Sequence, residues 1–364
     1  MKGVSMAKRL LTAILSMGFV ASASFASPAH ADTNSLKGAG SSFANKFVTA
    51  CAVADPSTSV DYSPGGSGAG RNAFGLGTVN FGMSDSATST PASYTAPRSS
   101  STYRFVPVVG GPIAIMYKLP NVASGALRLD STTIAKILSG KITKWNDPAI
   151  AALQTSAVKS KLPNLAIRVV YRGTKSGTSG NLTNYLRQTA PSVWTKASNE
   201  TIASGNPAGR MPAGSISAAN SQALVASVKS TNGAFGYADL SDAASSKVAF
   251  ATIKNANGEW IAPTSAASSK FLAAFSGSSG YNSTTGAVTL NFTKKVAGAY
   301  NLSLITYAIV DKNGPDSQKA AAVEAFVKYM IGTCGSAKAA SLGYSPLTST
   351  LKTKALAAAD LIDQ

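Results

Sequence analysis

Beyond His30 the chain contains no histidine. That absence removes Ser-His-Asp and Cys-His catalytic pairs, and with them His-ligated zinc or iron sites. Cysteine is nearly absent as well, with only Cys51 and Cys334. Acidic residues are scarce, 15 Asp and Glu against 33 Lys and Arg, for a formal charge of +18. A balance this basic invites a nucleic-acid reading, but the cations are scattered as single residues. Past residue 31 the only adjacent pair is Lys294-Lys295, and no basic stripe carries interleaved aromatics. No nucleic-acid partner is expected. The charge reads instead as a cationic field that raises anion encounter rates or holds the protein near acidic cell surfaces. Long apolar runs are missing too. The run from Leu10 to Ala23 is short for a membrane span, and no later segment looks transmembrane.

What is present begins with a leader. Lys2, Lys8 and Arg9 precede that apolar run, and Ala29-His30-Ala31 supplies a small-x-small cleavage site, so residues 1–31 read as a secretory signal. No Cys stands at the cleavage point to take a lipid anchor. The remainder, 32–364, is long enough for two lobes with their own cores. Export to an oxidising compartment suggests that Cys51 and Cys334 form one disulfide, with two buried free thiols as the alternative.

Strand-like and helix-like segments alternate, which places the chain in the α/β class. A helix is expected from Ala44 to about Ala54, another over 132–140 with Gly140 as its C-terminal cap, and a longer one at 316–331. Phe105-Val-Pro-Val-Val and Pro112 to Tyr117 read as consecutive buried strands broken at Gly110-Gly111. Further strands are expected at 167–171, 233–237 and 302–310, and a Ser/Thr/Pro-rich surface loop at 86–102. Asp147 before Pro148 reads as a helix cap. Trp145, Trp194 and Trp260 read as core or surface aromatics, and Arg71 as a solvated side chain.

Arg172-Gly-Thr-Lys-Ser-Gly-Thr-Ser179 carries the most chemistry. It turns from an apolar strand into a helix start, where N–H groups lack intrahelical partners and the helix dipole is positive. Ser176 and Thr178 add hydroxyls, Gly177 permits close approach, and Arg172 offers a planar fork for oxyanion oxygens. The G-x-x-x-x-G-K-[ST] spacing of a nucleotide loop is absent. Two sister turns, Gly40-Ser41-Ser42-Phe43 and Gly66-Ser67-Gly68, share the design. One such turn usually means only a cap. Three of them with an arginine, in a histidine-free exported chain, point to a buried oxyanion site.

In order along the chain stand Gly-Ala-Gly-Ser-Ser-Phe43, Gly66-Ser-Gly68, Phe81-Gly-Met-Ser-Asp85, Ile-Leu-Ser-Gly-Lys-Ile-Thr-Lys-Trp145-Asn-Asp147 and Arg172-x-x-x-Ser-Gly-Thr-Ser179. This order resembles the periplasmic phosphate-binding proteins of phosphate ABC transporters, the PstS family. The resemblance spans about 38 to 240 and resumes weakly at 302–331. It implies a two-lobed, hinged periplasmic-binding-protein fold of type II, each lobe a mixed sheet flanked by helices. Lobe 1 would be 32–112 plus 306–364 and lobe 2 would be 113–305, placing both cysteines in one lobe. It implies a periplasmic or secreted monomer that captures inorganic phosphate for a membrane ABC permease, with no cofactor, no metal and no catalysis. By motif, the ligand positions fall on Ser42, Phe43, Ser67, Asp85, Arg172, Ser176, Gly177 and Thr178. The family commonly carries Asp two residues after the arginine. Here that position is Thr174, so Arg172 lacks its usual orienting carboxylate, and Lys175 adds a charge beside it.

Asp85 has a chemical reading of its own. A carboxylate beside an anion repels it unless the ligand offers a proton. Phosphate at neutral pH keeps at least one P–OH and sulfate keeps none, so Asp85 would accept from the first and reject the second. The competing reading is a local turn cap. Two other functions stand against phosphate delivery. A phosphoester hydrolase lacks a histidine base and a visible carboxylate cluster. A secreted phosphate-sequestering or adhesive protein would keep the fold without the transporter.

Overall fold

The computed structural model describes residues 35–87, 103–277, 280–312 and 317–362. The leader read at 1–31 and most of the loop read at 86–102 lie outside the described residues.

Within the described residues the strands are β1 Ser35–Gly40, β2 Ser59–Ser63, β3 Phe81–Ser84, β4 Tyr103–Tyr117, β5 Arg128–Leu129, β6 Arg168–Arg172, β7 Ile216–Ala218, β8 Ala234–Asp239, β9 Ala249–Phe250, β10 Thr252–Lys254, β11 Trp260–Ile261 and β12 Ser303–Asp311. Helices alternate with them, which gives the α/β class its physical form: sheets covered by helices. The main sheet runs β2-β1-β3-β12-β4-β8-β6-β7, with β9 also on β4, and a small sheet runs β11-β10-β5. β1 is parallel to β2 and β3, whereas β12 is antiparallel to β3 and β4. β6 is parallel to β7 and β8.

β4 joins the two sides of this sheet. Its Tyr103–Pro112 stretch pairs with β12, and its Ile113–Tyr117 stretch pairs with β8. All fifteen of its residues are buried. The break expected at Gly110-Gly111 does not occur, because both glycines sit in register with Ile305 and Leu304. Their role is close packing rather than turning. A Cβ on Gly110 would lie 2.2 Å from Leu272 Cδ1, and one on Gly111 would lie 3.0 Å from Phe43 Cζ. The register of β12 against β4 shifts between Thr306 and Tyr307, a bulge beside the site described below.

Most expected elements form close to their predicted bounds. The first helix is Asn45–Ala54, burying Phe47, Val48 and Cys51. The helix Ser131–Leu138 is capped by Asp130, whose side chain accepts from Thr133 N, and Gly140 follows at φ +75°. Asp147 caps Pro148–Ala151 through Ala149 N at 2.8 Å. The late helix is Ser317–Tyr329 and continues as a π-helical turn, Met330–Cys334. Trp145 and Trp194 are fully buried, and Trp260 lies under Arg128 and Lys254. No helix among the described residues is long and apolar enough to cross a membrane.

Cys51 and Cys334 are bridged, with Cα atoms 5.6 Å apart across a separation of 283 residues. The bond ties the first helix to the π-helical turn of the late helix, which runs on as Gly335–Lys338. Closing so long a loop restricts the unfolded chain, so opening it by Cys51→Ala with Cys334→Ala should cost about 2–5 kcal/mol. Urea unfolding of the variant against the parent, with and without reductant, checks this. Equal midpoints in all four samples would contradict it.

Candidate anion site

Asp85 follows β3 and is 3% exposed, and its carboxylate is ringed by hydroxyls. Oδ1 accepts from Ser41 Oγ and from Thr306 Oγ1, the latter at 2.9 Å. Oδ2 accepts from Ser67 Oγ at 3.3 Å and Thr178 Oγ1 at 3.2 Å. The Asp85 N–H donates to Ser67 Oγ at 3.1 Å. Burial pushes the Asp85 carboxyl up from its usual range. The hydroxyls of Ser41 and Thr306, the Arg172 charge and the Thr178 hydroxyl oppose that rise by favouring the ionised form.

Arg172 ends β6 and is 2% exposed. Its Nη1 donates to Ser42 Oγ at 3.0 Å and to Ser176 Oγ at 3.1 Å. Its Nη2 donates to Thr174 Oγ1 at 3.1 Å, and Thr174 in turn donates to the Ala219 carbonyl at 2.9 Å. A hydroxyl therefore orients the guanidinium where the sequence reading missed a carboxylate. Arg172 Nε is buried without a protein acceptor. Burial lowers this guanidinium from its usual value, opposed by Tyr237 and Asp85. The arginine's N–H donates to Tyr237 Oη at 3.2 Å, which fixes the strand end beneath it.

Four helix starts converge on this pair. Ser41 Oγ accepts from Ala44 N at 3.1 Å just before the helix Asn45–Ala54. The helix Ser67–Gly75 begins at Ser67 itself. Ser176 caps Gly177–Thr189 by accepting from Ser179 N at 3.3 Å. The helix Ser221–Ser230 presents Ser221 N to Ser42 Oγ at 3.1 Å. Each start brings the positive end of a helix dipole to one place.

The structure thus gathers Ser42, Ser67, Asp85, Arg172, Ser176, Gly177 and Thr178 into one cluster. Phe43 differs. Its ring is buried against Tyr344, centroids 5.8 Å apart, and its carbonyl accepts from Tyr344 Oη at 2.7 Å, so its side chain anchors the turn. Gly177 has no room for a larger residue: a Cβ there would lie 2.6 Å from Ser67 Oγ and 2.8 Å from Asp85 Cβ. A cavity of about 590 Å³ lined by Arg168, Arg210 and Met211 lies apart from this cluster. The site is therefore marked by donor chemistry rather than by volume. Among the described residues no group of three or more His, Cys, Asp or Glu could hold a metal ion.

Several contributors were not legible beforehand. The sequence does not single out Thr306 or Ser221, and it marks Ser41 only as part of its turn, yet each bonds a residue that was expected. Thr306 hid in the strand run Leu304-Ile-Thr-Tyr-Ala308, where threonine is an ordinary strand former. Arg71 corrects the reading of a solvated side chain. It is 6% exposed, donates to Ser84 Oγ at 2.9 Å, and pairs with Glu200, which also accepts from Ser86 Oγ. Its stem crosses from the β1 side of the sheet to a partner on the β8 side, and burial among those acceptors outweighs solvation. Lys46 makes a second crossing to Asp242 at 3.0 Å, with Gln222 bridging the Ser42 carbonyl and Asp242.

Glu200→Ala would strand the Arg71 guanidinium in a buried position. Removing one partner of a buried pair costs about 3–5 kcal/mol, and the 14% exposure of Glu200 places this one at the lower end. Denaturant unfolding should show that loss, and Glu200→Ala with Arg71→Ala together should recover part of it.

The sequence pattern of the PBP superfamily domain matches residues 27–333. Phosphate-binding protein PstS 3 of Mycobacterium tuberculosis is 33% identical over 322 residues, covering 88% of this chain and 82% of that protein. Phosphate-binding protein PstS of Xylella fastidiosa is 28% identical over 330 residues, covering 89% and 85%. Among solved structures, the high-affinity periplasmic phosphate-binding protein PfluDING, bound with phosphate, superposes with a TM-score of 0.71 at 21% identity, covering 89% and 93%. A phosphate-binding protein from Stenotrophomonas maltophilia gives 0.64 at 21%, with the same coverage. At that identity the structural likeness speaks for the fold. The sequence likeness goes further: the chain belongs to the PBP superfamily and, within it, to the PstS phosphate-binding proteins.

Proposed function

We propose that this protein is an extracytoplasmic binding protein that captures inorganic phosphate between the β1 and β8 sides of its sheet and delivers it to an ABC permease. The observation that carries the reading is one buried carboxylate, Asp85, set among hydroxyls, helix starts and a buried arginine. A dehydrated phosphate must recover its hydrogen bonds from fixed donors, and here they come from Ser42, Arg172, Ser176 and main-chain N–H groups including those of Phe43 and Gly177, with the Ser67 and Thr178 hydroxyls turning from Asp85 Oδ2 to the ligand as it binds. Charge-assisted bonds contribute about 1.5–3 kcal/mol each, so several offset dehydration and ordering. Asp85 supplies the one acceptor, suited to a ligand that keeps a proton.

Lobes at 32–112 plus 306–364 and at 113–305 fit the partner switch of β4 between Pro112 and Ile113. Hinge closure would then form the crossings of Arg71 and Lys46 along with the ligand contacts. A leader at 1–31 and a disulfide both suit export. The names of the relatives are those of binding proteins, and the site needs no reacting group to do this work.

Isothermal titration of the chain from residue 32 with phosphate and with sulfate at neutral pH tests the reading. Heat with phosphate and none with sulfate is expected, and no heat with phosphate overturns it. Asp85→Asn should narrow the preference for phosphate over sulfate by about tenfold or more, since it removes a charged acceptor. Arg172→Lys should weaken phosphate binding about tenfold or more, because an ammonium cannot reproduce the fork toward Ser42, Ser176 and the ligand.

A further inference from the structure

We infer that Thr306, with Ser41, is a positioning residue that holds Asp85 through one oxygen and keeps it an acceptor, so that this strand hydroxyl sets the pH limit of anion discrimination. The inference rests on the phosphate reading above and deepens it.

The four hydroxyls on Asp85 are divided by origin. Oδ1 is held by Ser41, which follows β1, and by Thr306 of β12. Asp85 itself follows β3, and β1, β3 and β12 are neighbours in one sheet. These bonds therefore stay within a single side and do not depend on closure. Oδ2 is different, because one of its donors, Thr178, comes from the helix that follows β6 on the opposite side. Only Oδ2 faces groups that approach from across the cleft. Oδ1 is the anchor and Oδ2 the working oxygen.

Thr306 reaches Oδ1 by register. Tyr307 pairs with Ser84 in the antiparallel β12–β3 ladder, which sets Thr306 opposite Asp85. The bulge between Thr306 and Tyr307 against β4 falls at the same point, and such irregularities re-aim side chains. Thr306 is 0% exposed within a strand buried at every position. A buried hydroxyl needs a partner, and this one donates to a carboxylate.

The chemistry follows from which form of Asp85 that bond favours. A hydroxyl donating to Oδ1 stabilises the carboxylate, and burial works the other way. The remaining groups facing Asp85 are Arg172 from β6, Tyr62 from β2 and Tyr344 near the C-terminus, with the Arg71–Glu200 pair reaching Ser84 and Ser86 beside it. Burial raises both tyrosines well above their usual value, so they stay neutral, and Arg172 alone adds charge directly. Without the Thr306 bond the carboxyl takes up its proton at higher pH. A protonated Asp85 can donate, and sulfate then meets a donor where it met a repelling lone pair.

Thr306→Val keeps the shape and removes the hydroxyl. Phosphate and sulfate titrations from pH 4 to 8 should be run on the parent, Thr306→Val and Thr306→Ser. The expected result is that sulfate binding in the parent appears only toward acid pH, appears about one pH unit higher in Thr306→Val, and returns toward the parent in Thr306→Ser. At a pH inside that window the valine variant should bind sulfate up to about tenfold more tightly than the parent. Equal sulfate profiles for parent and Thr306→Val, with phosphate bound by both, would overturn the positioning role while leaving the phosphate reading intact. No phosphate binding by the parent would overturn both. Ser41→Ala, which frees the same oxygen, carries the same expectation should the valine variant not fold.

Discussion

The arrangement depends on satisfying one carboxyl group deep inside the protein. Asp85 is almost wholly buried, and a carboxyl group so placed needs its lone pairs filled. Ser41, Thr306, Ser67 and Thr178 fill them from separate elements, so the first turn, the second helix, strand β12 and the helix after β6 must all meet at that point. The sheet order β2-β1-β3-β12 brings three of those elements to Asp85, and the packing of the β8 side against it brings the fourth. Position of the strands and satisfaction of the side chain are thus a single constraint.

Arg172 is the complement. It too is buried, yet its protein partners are the hydroxyls of Ser42, Ser176 and Thr174 rather than a carboxylate. A cation held by neutral acceptors keeps its charge available to an incoming anion, whereas an ion pair would spend it internally. Thr174 gives the guanidinium a fixed orientation without that neutralisation. The charged pairing instead occurs at the edge of the cluster, at Arg71–Glu200 and Lys46–Asp242, where it joins the two sides of the sheet. Orientation of the guanidinium and the joining of the two sides therefore fall to different side chains.

Much of the site was legible because its turns are local. Gly40-Ser-Ser-Phe43, Gly66-Ser-Gly68 and Ser176-Gly-Thr178 each announce a helix start through small and hydroxyl residues, and Asp85 stands out in a chain poor in acids. The strand break expected at Gly110-Gly111 failed because a glycine pair reads as a turn in sequence, while here it makes room for Leu272 and Phe43. Arg71 failed for a related reason. Its partner Glu200 lies 129 residues away, and no local pattern marks a cation for burial.

The sequence alone determined the α/β alternation, the absence of histidine chemistry, the donor-rich turns and the family these motifs resemble, since each is carried by residue type and short-range spacing. Tertiary structure decided what joins them: the unbroken β4 that changes partner midway, the register that sets Thr306 on Asp85, the Cys51–Cys334 bridge, and the hydroxyl that replaces a carboxylate beside Arg172. Those features depend on which distant segments pair and at what register. A threonine reads the same in any strand, and only the neighbour opposite it shows whether it packs or holds a charge.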